Sequence, residues 1–337
     1  MPIETLVTIP FSEEIQSQLR SISPNLNFTF SASQRTSDIP EDVWKKAEVL
    51  YTGHILPEIA QTAALKWVQF HYAGIDRFVE EPLLKKNGLK ITTLSGAAAP
   101  HIAEHILTMI LSLSRQIPAL LNSQKKAEWP KDRYDRFAAV ELSGKTVGIV
   151  GYGSIGRQLA WLLQPFGVNI LATKRDMMHT EDKGYTPEGT GDPGGNFVHR
   201  LYPPEATRSM ARECHYLVVT VPLTRKTHNL IDEKVLNALQ PGAFLVDISR
   251  GGVIHQAALF NALKDGHLAG AALDVFPEEP LPANNPLWKL PNVIISPHIA
   301  GNSTTYNNKA ATLFRENLYR YISGLPLYNL FDPQRGY

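Results

Sequence analysis

Apolar positions in the second half of the chain come in short unbroken runs rather than in alternation. From about Thr146 onward these are "TVGIV", "NILAT", "YLVVTV", "AFLVDI", "GAALDV" and "NVIIS", each preceding or following a segment of helical periodicity. Runs that are apolar throughout suit strands covered on both faces, as in a parallel sheet flanked by helices. A doubly wound α/β domain is the expectation for this half. Before Thr146 the pattern is less regular, with strand-like "ETLVTI", "AEVLYT" and "WVQFHY" separated by helices. Residues 1–99 therefore read as a second, smaller α/β unit. A long helix starting near Pro100 would lead into the larger domain, and a helix from about Thr304 to Ser323 would lead back, making the first domain discontinuous (1–99 and 303–337, around 100–302). One segment breaks the rhythm. Asp176 to Pro204 is dense in Gly and Pro and far longer than the roughly 2 to 6 residues of an ordinary connection, so it reads as an inserted surface loop.

Composition narrows the function classes. Thirty-three Lys and Arg against 32 Asp and Glu leave a net charge of +1, which offers no broad basic field to nucleic acid or to an anionic membrane. A small ligand is the better expectation. Cys214 is the only cysteine, so neither an intrachain disulfide nor a Cys-based metal site can form, and a reducing compartment fits. The N-terminal "MPIETLVTIPF" lacks the basic-then-apolar order of a signal peptide and the terminal "PQRGY" carries no address signal, so a cytoplasmic location is expected. The most apolar helical stretch, "IAEHILTMILSLSRQIPALL", contains Glu104, His105 and Arg115, which argues for a buried or interfacial helix and against a membrane span.

"GIVGYGSIGRQLAWLL" places Gly151, Gly153 and Gly156 in G-x-G-x-x-G order, directly after a strand and opening a helix with Ile155, Leu159, Leu162 and Leu163 on its apolar face. The three glycines then serve a tight turn, close approach of backbone to a pyrophosphate, and close packing of helix on strand. The helix start at Ser154 and Ile155 offers N–H groups and a positive dipole end to phosphate. This is the Rossmann-type dinucleotide fingerprint. An NAD site carries an Asp or Glu about 20 residues further on for the ribose hydroxyls. Here Lys174 and Arg175 stand 18 and 19 residues after Gly156, with Asp176 just beyond as a rival acceptor. Two cations at the mouth of the second strand suit a 2′-phosphate, so NADP is the expected cofactor, with NAD the alternative.

Three later segments end predicted strands: "VDISRGGVIHQ" with Arg250, "GAALDVFPEEPLP" with Asp274 and Glu279, and "PNVIISPHIAG" with His298. In an open parallel sheet the ligand crevice lies at that edge. With "GYGSIG", "VPLTRKTHNLI" and "HYAGIDRF", these segments make the chain resemble the D-isomer-specific 2-hydroxyacid dehydrogenases, which include glyoxylate and hydroxypyruvate reductases. The resemblance implies a catalytic Arg250, Glu279 and His298, with Asp274 at the nicotinamide amide. It implies further cofactor contacts at Val221, Pro222, Thr227, Ile248, Ser249, Ala300 and Gly301. It also implies a flavodoxin-like substrate domain and an active site in the cleft between the two domains. The substrate carboxylate would take backbone N–H groups of Ala73 and Gly74, while His71, Tyr72 and His54 would line the side-chain pocket. Family members are typically dimeric through the long helix and arm, here about Pro100 to Ala139, with Trp129 as an anchor.

The residue types suit reduction of a 2-oxo acid. His298, with a reference pKa of about 6.5, can hold a proton for the carbonyl oxygen near neutrality. Glu279 would fix the ring through its other nitrogen, and Arg250 would fork onto the substrate's carboxylate and carbonyl oxygen. "HIAEH", His101 to His105, has the spacing of an inverted zinc-protease motif, but no third ligand is apparent nearby and helix packing explains it better; no metal is expected. Two rivals remain: formate dehydrogenase, which by resemblance carries Gln where Glu279 stands, and a nucleotide-sensing corepressor-like binding protein without turnover.

Overall fold

A computed structural model describes residues 2–332; Met1 and the terminal "PQRGY" lie outside the described residues. In chain order the strands are β1 (Ile3–Val7), β2 (Leu26–Phe30), β3 (Val49–Thr52), β4 (Trp67–Phe70), β5 (Lys90–Thr92), β6 (Thr146–Val150), β7 (Asn169–Thr173), β8 (Arg200–Tyr202), β9 (Tyr216–Val219), β10 (Ala243–Asp247), β11 (Leu268–Leu273) and β12 (Val293–Ile295). The helices are α1 (Glu13–Arg20), α2 (Glu41–Lys46), α3 (Ala99–Ser114), α4 (Ile117–Lys125), α5 (Arg133–Arg136), α6 (Ser154–Leu163), α7 (Thr207–Ala211), α8 (Glu233–Leu236), α9 (Gln256–Lys264) and α10 (Tyr306–Ile322). The chain forms two compact units, one of Met1–Ala98, Lys183–Tyr185 and Ser303–Tyr337, the other of Ala99–Asp182 and Thr186–Asn302.

The first unit is built on a five-stranded sheet of order β2-β1-β3-β4-β5, parallel throughout. Its central strands β3 and β4 are buried along their whole length, as strands covered on both faces must be. One face packs Tyr51 and Trp67 against Phe314 of α10, with ring centroids 4.4 and 5.7 Å apart. The other face gathers Trp44, Leu50, Phe70 and Phe78. Asn317, buried in α10, is satisfied at both ends: its amide donates to Gln69 Oε1 at 3.1 Å and its carbonyl oxygen accepts from Tyr328 N at 2.8 Å.

The second unit carries seven parallel strands in the order β12-β11-β10-β9-β6-β7-β8. The chain enters at β6, runs outward to β8, then returns to β9 on the opposite side of β6. The direction of winding therefore reverses between β6 and β9, and the carboxyl ends of those strands mark the ligand crevice of such a sheet. Helices α3 and α6 cover one face through Ile106, Ile110, Leu159 and Leu163, and the other face buries Met210, Leu236 and Leu263. Cys214 is interior, its thiol pushed up to about 12 by burial, so it is an inert packing group.

Two expectations are corrected here. The apolar stretch from Pro100 is not one long helix: α3 stops at Ser114, Gln116 adopts φ 54°, and α4 starts afresh with Pro118 in its first turn. Proline has no N–H to give to the Ser114 carbonyl and disfavours a helical residue before it. That carbonyl accepts from Val140 N at 3.0 Å instead. Nor is Asp176 to Pro204 loop throughout. Its last part is the strand β8, paired in parallel with β7 at the sheet edge, and Asp192 within it is buried. Among the described residues no helix is long and apolar enough to cross a membrane.

Candidate active site

The glycine loop leaves β6 at Gly151, which has φ +104° and donates its N–H to Thr173 Oγ1 at 3.0 Å. A Cβ on Gly151 would lie 2.8 Å from Val221 Cγ1, and one on Gly156 would lie 2.5 Å from the Gly151 carbonyl oxygen. These two glycines are required by packing. Gly153 differs, because a Cβ there would meet nothing within 4 Å. It is the N-cap of α6 and has no side chain to satisfy the helix's first N–H groups, which begin at Ser154 and Ile155. An open space beside unfilled donors at a helix start fits a pyrophosphate, so the residues present suit a dinucleotide.

Strand β7 ends at Thr173, so Lys174 and Arg175 are the first residues beyond it. The Lys174 ammonium donates to the His179 carbonyl and is pushed below its usual range by partial burial first, then by the nearby Arg157 charge. Asp176 folds back on its own turn. One oxygen accepts from Met178 N at 3.1 Å and His179 N at 3.3 Å, and the other sits 2.9 Å from His179 Nδ1, which holds the carboxyl below the usual carboxylate range. Of the residues following β9, Val221 sits against Gly151, while Thr227 Oγ1 donates to the Pro222 carbonyl at 2.6 Å and closes that loop.

Arg250, Asp274 and His298 follow three neighbouring parallel strands, β10, β11 and β12, and therefore emerge along one edge. After β10, Ile248 and Ser249 are buried, and Ser249 gives both its N–H and its hydroxyl to Asp247 Oδ1, at 2.9 and 2.5 Å. Burial pushes Asp247 up to about 7, with the Asp274 charge adding to it against the two Ser249 bonds. Arg250 Nη1 donates to the Ser249 carbonyl at 2.8 Å. Gly251 lets this turn lie directly on the Phe276–Pro277 backbone, where a Cβ would be 1.9 Å from the Phe276 oxygen.

His298 Nδ1 lies 2.7 Å from Glu279 Oε2, and Glu279 Oε1 accepts from Phe276 N at 2.9 Å. The His298 side chain is exposed. Its backbone takes φ 53°, uncommon for a residue other than glycine and held here by tethers on both sides. His298 N donates to the Asp274 carbonyl at 2.9 Å. The buried Asp274 carboxylate accepts from Ser296 Oγ at 2.5 Å and from the Ile299 and Ala300 N–H groups at 2.9 Å each.

Sequence reasoning missed this bracing role of Asp274, although a carboxylate at a strand end facing the S-P-H-I-A-G loop was a usable signal. It also missed Asp247, Tyr152, Arg157 and Asp192. The two histidines of "HIAEH" support the same loop from α3: His101 Nε2 is 2.8 Å from the Gly301 oxygen and His105 Nε2 is 3.4 Å from Ser296 Oγ. The two rings thus reach different points of that loop.

In the first unit, β4 leads into His71, Tyr72, Ala73 and Gly74. His71 is interior to this unit. It is 6% exposed, with Nδ1 2.7 Å from the Tyr51 hydroxyl and its carbonyl accepting from the Tyr306 hydroxyl at 2.7 Å. Burial lowers its pKa to about 4, against a side-chain hydrogen bond to Asn307. Its aromatic surroundings, and not its spacing, decided its place. Tyr72, Ala73 and His54 are exposed and Gly74 is half-buried.

The sequence pattern of the family described as "D-isomer specific 2-hydroxyacid dehydrogenase, NAD binding domain" matches residues 107–300. Glyoxylate reductase of Thermofilum pendens is 33% identical over 277 residues, covering 82% of this chain and 77% of that protein. Among solved structures, a D-isomer-specific 2-hydroxyacid dehydrogenase of Xanthobacter autotrophicus, in complex with NADPH and MES, has a TM-score of 0.79 at 26% identity and covers 100% of both chains. A family protein of Aeromonas salmonicida has a TM-score of 0.78 at 28% identity, covering 99% of this chain and 100% of that one. The chain belongs to the D-isomer-specific 2-hydroxyacid dehydrogenases. It is thus an NAD(P)-dependent oxidoreductase acting on the CH–OH group of 2-hydroxy acids.

Proposed function

We infer that the enzyme works as an NADP-preferring reductase of a small 2-oxo acid, with Arg250, Glu279 and His298 as its catalytic set. The observation that carries the catalytic part is the His298–Glu279 pair, held on the edge of the sheet onto which the glycine loop opens. His298 holds the transferable proton on Nε2, because Nδ1 is turned to Glu279. Glu279 keeps the ring in that orientation and stabilises its charged form, itself fixed by the Phe276 N–H. Arg250 presents a planar fork to the substrate's carboxylate and carbonyl oxygen. The nicotinamide supplies or accepts the hydride when bound.

The cofactor preference rests on the turn after β7. Asp176, the acid nearest the place where ribose hydroxyls would be received, spends both oxygens on its own turn, whereas Lys174 and Arg175 stand first beyond the strand. The similar Xanthobacter protein was solved with NADPH, which supports the same reading. A homodimer is supported by exposed apolar side chains in the second unit, Ile117, Leu120 and Leu121 of α4 and, further along the chain, Trp129 and Tyr134, with Trp129 85% exposed. The deciding experiment is a panel of 2-oxo acids, from glyoxylate to branched and aromatic ones, assayed with NADPH and NADH side by side. Turnover with NADPH ahead of NADH is expected. No turnover on any of them would favour the corepressor-like alternative, and a clear NADH preference would return the cations to solvated loop charges.

A further inference from the structure

We propose that Arg157 and Asp192 are positioning residues for cofactor discrimination, clamping the long insertion onto α6 so that the Lys174–His179 turn keeps the shape that receives a 2′-phosphate. The proposal rests on the NADP reading above and gives the insertion a role within it.

Arg157, the residue after the last fingerprint glycine, is 2% exposed, as is Asp192. Its guanidinium reaches from α6 into the insertion: Nη1 donates to the Asp192 carbonyl at 2.5 Å, Nη2 donates to the Thr180 carbonyl, and Nε faces Asp182 Oδ2 at 3.5 Å. The Asp192 carboxylate in turn accepts from the Tyr152 hydroxyl at 2.5 Å, Asn196 N at 2.7 Å and Phe197 N at 3.0 Å. Tyr152 lies inside the glycine fingerprint, donates its N–H to the Thr173 carbonyl at 2.8 Å, and carries the Arg157 guanidinium 4.8 Å from its ring centre. Gly195, at φ +74°, permits the fit, since a Cβ there would lie 2.8 Å from the Thr180 oxygen.

These bonds surround one short piece of chain. The turn starts at Thr173, where Tyr152 holds it, and ends at Thr180, where Arg157 holds it. Between these points Lys174 donates to the His179 carbonyl and Asp176 caps its own turn. A buried arginine spent largely on the carbonyls of a loop is a costly device for stability alone, because apolar packing of equal volume often serves as well. It does fix two carbonyls at a set distance from a helix, which a phosphate-recognising turn requires. The clamp bonds are made by the side chains of Tyr152 and Arg157 and not by Gly153 or the N–H groups of Ser154 and Ile155, so loosening the clamp should weaken the hold on the 2′-phosphate more than the hold on the pyrophosphate.

The test is direct binding. Arg157→Lys keeps the charge but loses the fork, and Asp192→Asn keeps the shape but leaves one acceptor oxygen to face the three donors of Tyr152, Asn196 and Phe197. Dissociation constants for NADPH and NADH are measured by titration calorimetry on each, alongside thermal unfolding. NADPH should bind about tenfold more weakly while NADH changes less than about twofold. Folded variants that lose neither cofactor, or both equally, would overturn the clamp. Arg175→Ala separates the two levels: if it leaves NADPH binding unchanged, the cation reading itself falls, and if it weakens NADPH selectively while the clamp variants do not, only the clamp falls. Should both clamp variants fail to fold, hydrogen exchange on the wild-type enzyme decides. NADPH should slow exchange across 174–182 and 190–197 more than saturating NADH does, and equal protection refutes the role.

Discussion

Glu279 serves two donors at once: Oε1 accepts from Phe276 N at 2.9 Å while Oε2 lies 2.7 Å from His298 Nδ1. A glutamine has one acceptor oxygen and one donor nitrogen, so Glu279→Gln can serve Phe276 N and the ring together only when Nδ1 of His298 carries no proton. The charged imidazole is left with an N–H facing an N–H and without its counter-ion. We expect kcat for 2-oxo acid reduction to fall by about 10²-fold or more, and the reductive kcat/KM profile to decline at lower pH than in wild type. His298→Ala should cost at least as much while NADPH still binds. Steady-state kinetics from pH 5 to 9 check this, and an unchanged profile for Glu279→Gln would end the pairing as a catalytic device.

The three fingerprint glycines should separate by experiment. Gly156→Ala drives a methyl to 2.5 Å from the Gly151 oxygen and 2.9 Å from Ile149 Cγ2, both rigid. Overpacking of that kind costs roughly 1–3 kcal/mol, so the melting temperature of the ligand-free enzyme should drop by several degrees. Gly153→Ala meets only open space and should leave that temperature unchanged, yet weaken NADPH and NADH alike by about tenfold or more, since the methyl occupies the place where backbone approaches phosphate. Calorimetric melting and binding titrations would tell; intact dinucleotide affinity in Gly153→Ala would refute the cradle.

His71 should make the fold acid-sensitive. Its pKa is lowered to about 4 by burial, against an ordinary value of 6.5. The neutral ring is therefore favoured in the folded state, so the contribution is fully present above about pH 6.5 and is lost as pH falls towards 4. A difference of this size amounts to roughly 3 kcal/mol of stability between those limits. His71→Gln, which cannot take up the proton, should unfold less steeply with acid across that window when denaturant midpoints are measured at pH 7 and pH 4.5. Parallel acid curves for variant and wild type would exclude His71 as the cause.

What the sequence shows of this molecule follows from what is local. The apolar runs of β6, β7 and β9 to β12 and the fingerprint helix are short-range patterns, and their order alone predicts a parallel sheet with Arg250, Asp274 and His298 on one edge. Strands β2, β5 and β8 escape because they are short or lie at sheet edges, where one face is exposed and the apolar run is interrupted. The break before α4 was visible in Pro118. By contrast, the inward turn of His71 and the Arg157–Asp192 clamp depend on partners 20 and 35 residues away. Spacing carries no record of such pairs.

The last prediction concerns Lys174 and Arg175. The phosphate distinguishes NADPH from NADH, and charge-assisted hydrogen bonds to it contribute roughly 1.5 to 3 kcal/mol each. Arg175→Ala should therefore lower kcat/KM for NADPH by about ten- to a hundredfold and leave that for NADH nearly unchanged. Lys174→Asp combined with Arg175→Ala goes further. The new carboxylate replaces an ammonium that donates to the His179 carbonyl, and it stands nearer the end of β7 than Asp176, whose oxygens are engaged in their own turn. Asp at position 174 thus restores an acceptor for the ribose hydroxyls and repels a 2′-phosphate in one change. The preference should invert towards NADH, measured as the ratio of kcat/KM for the two cofactors with one 2-oxo acid. If both variants lose the two cofactors in equal proportion, the turn after β7 is not where the adenosine phosphate is recognised.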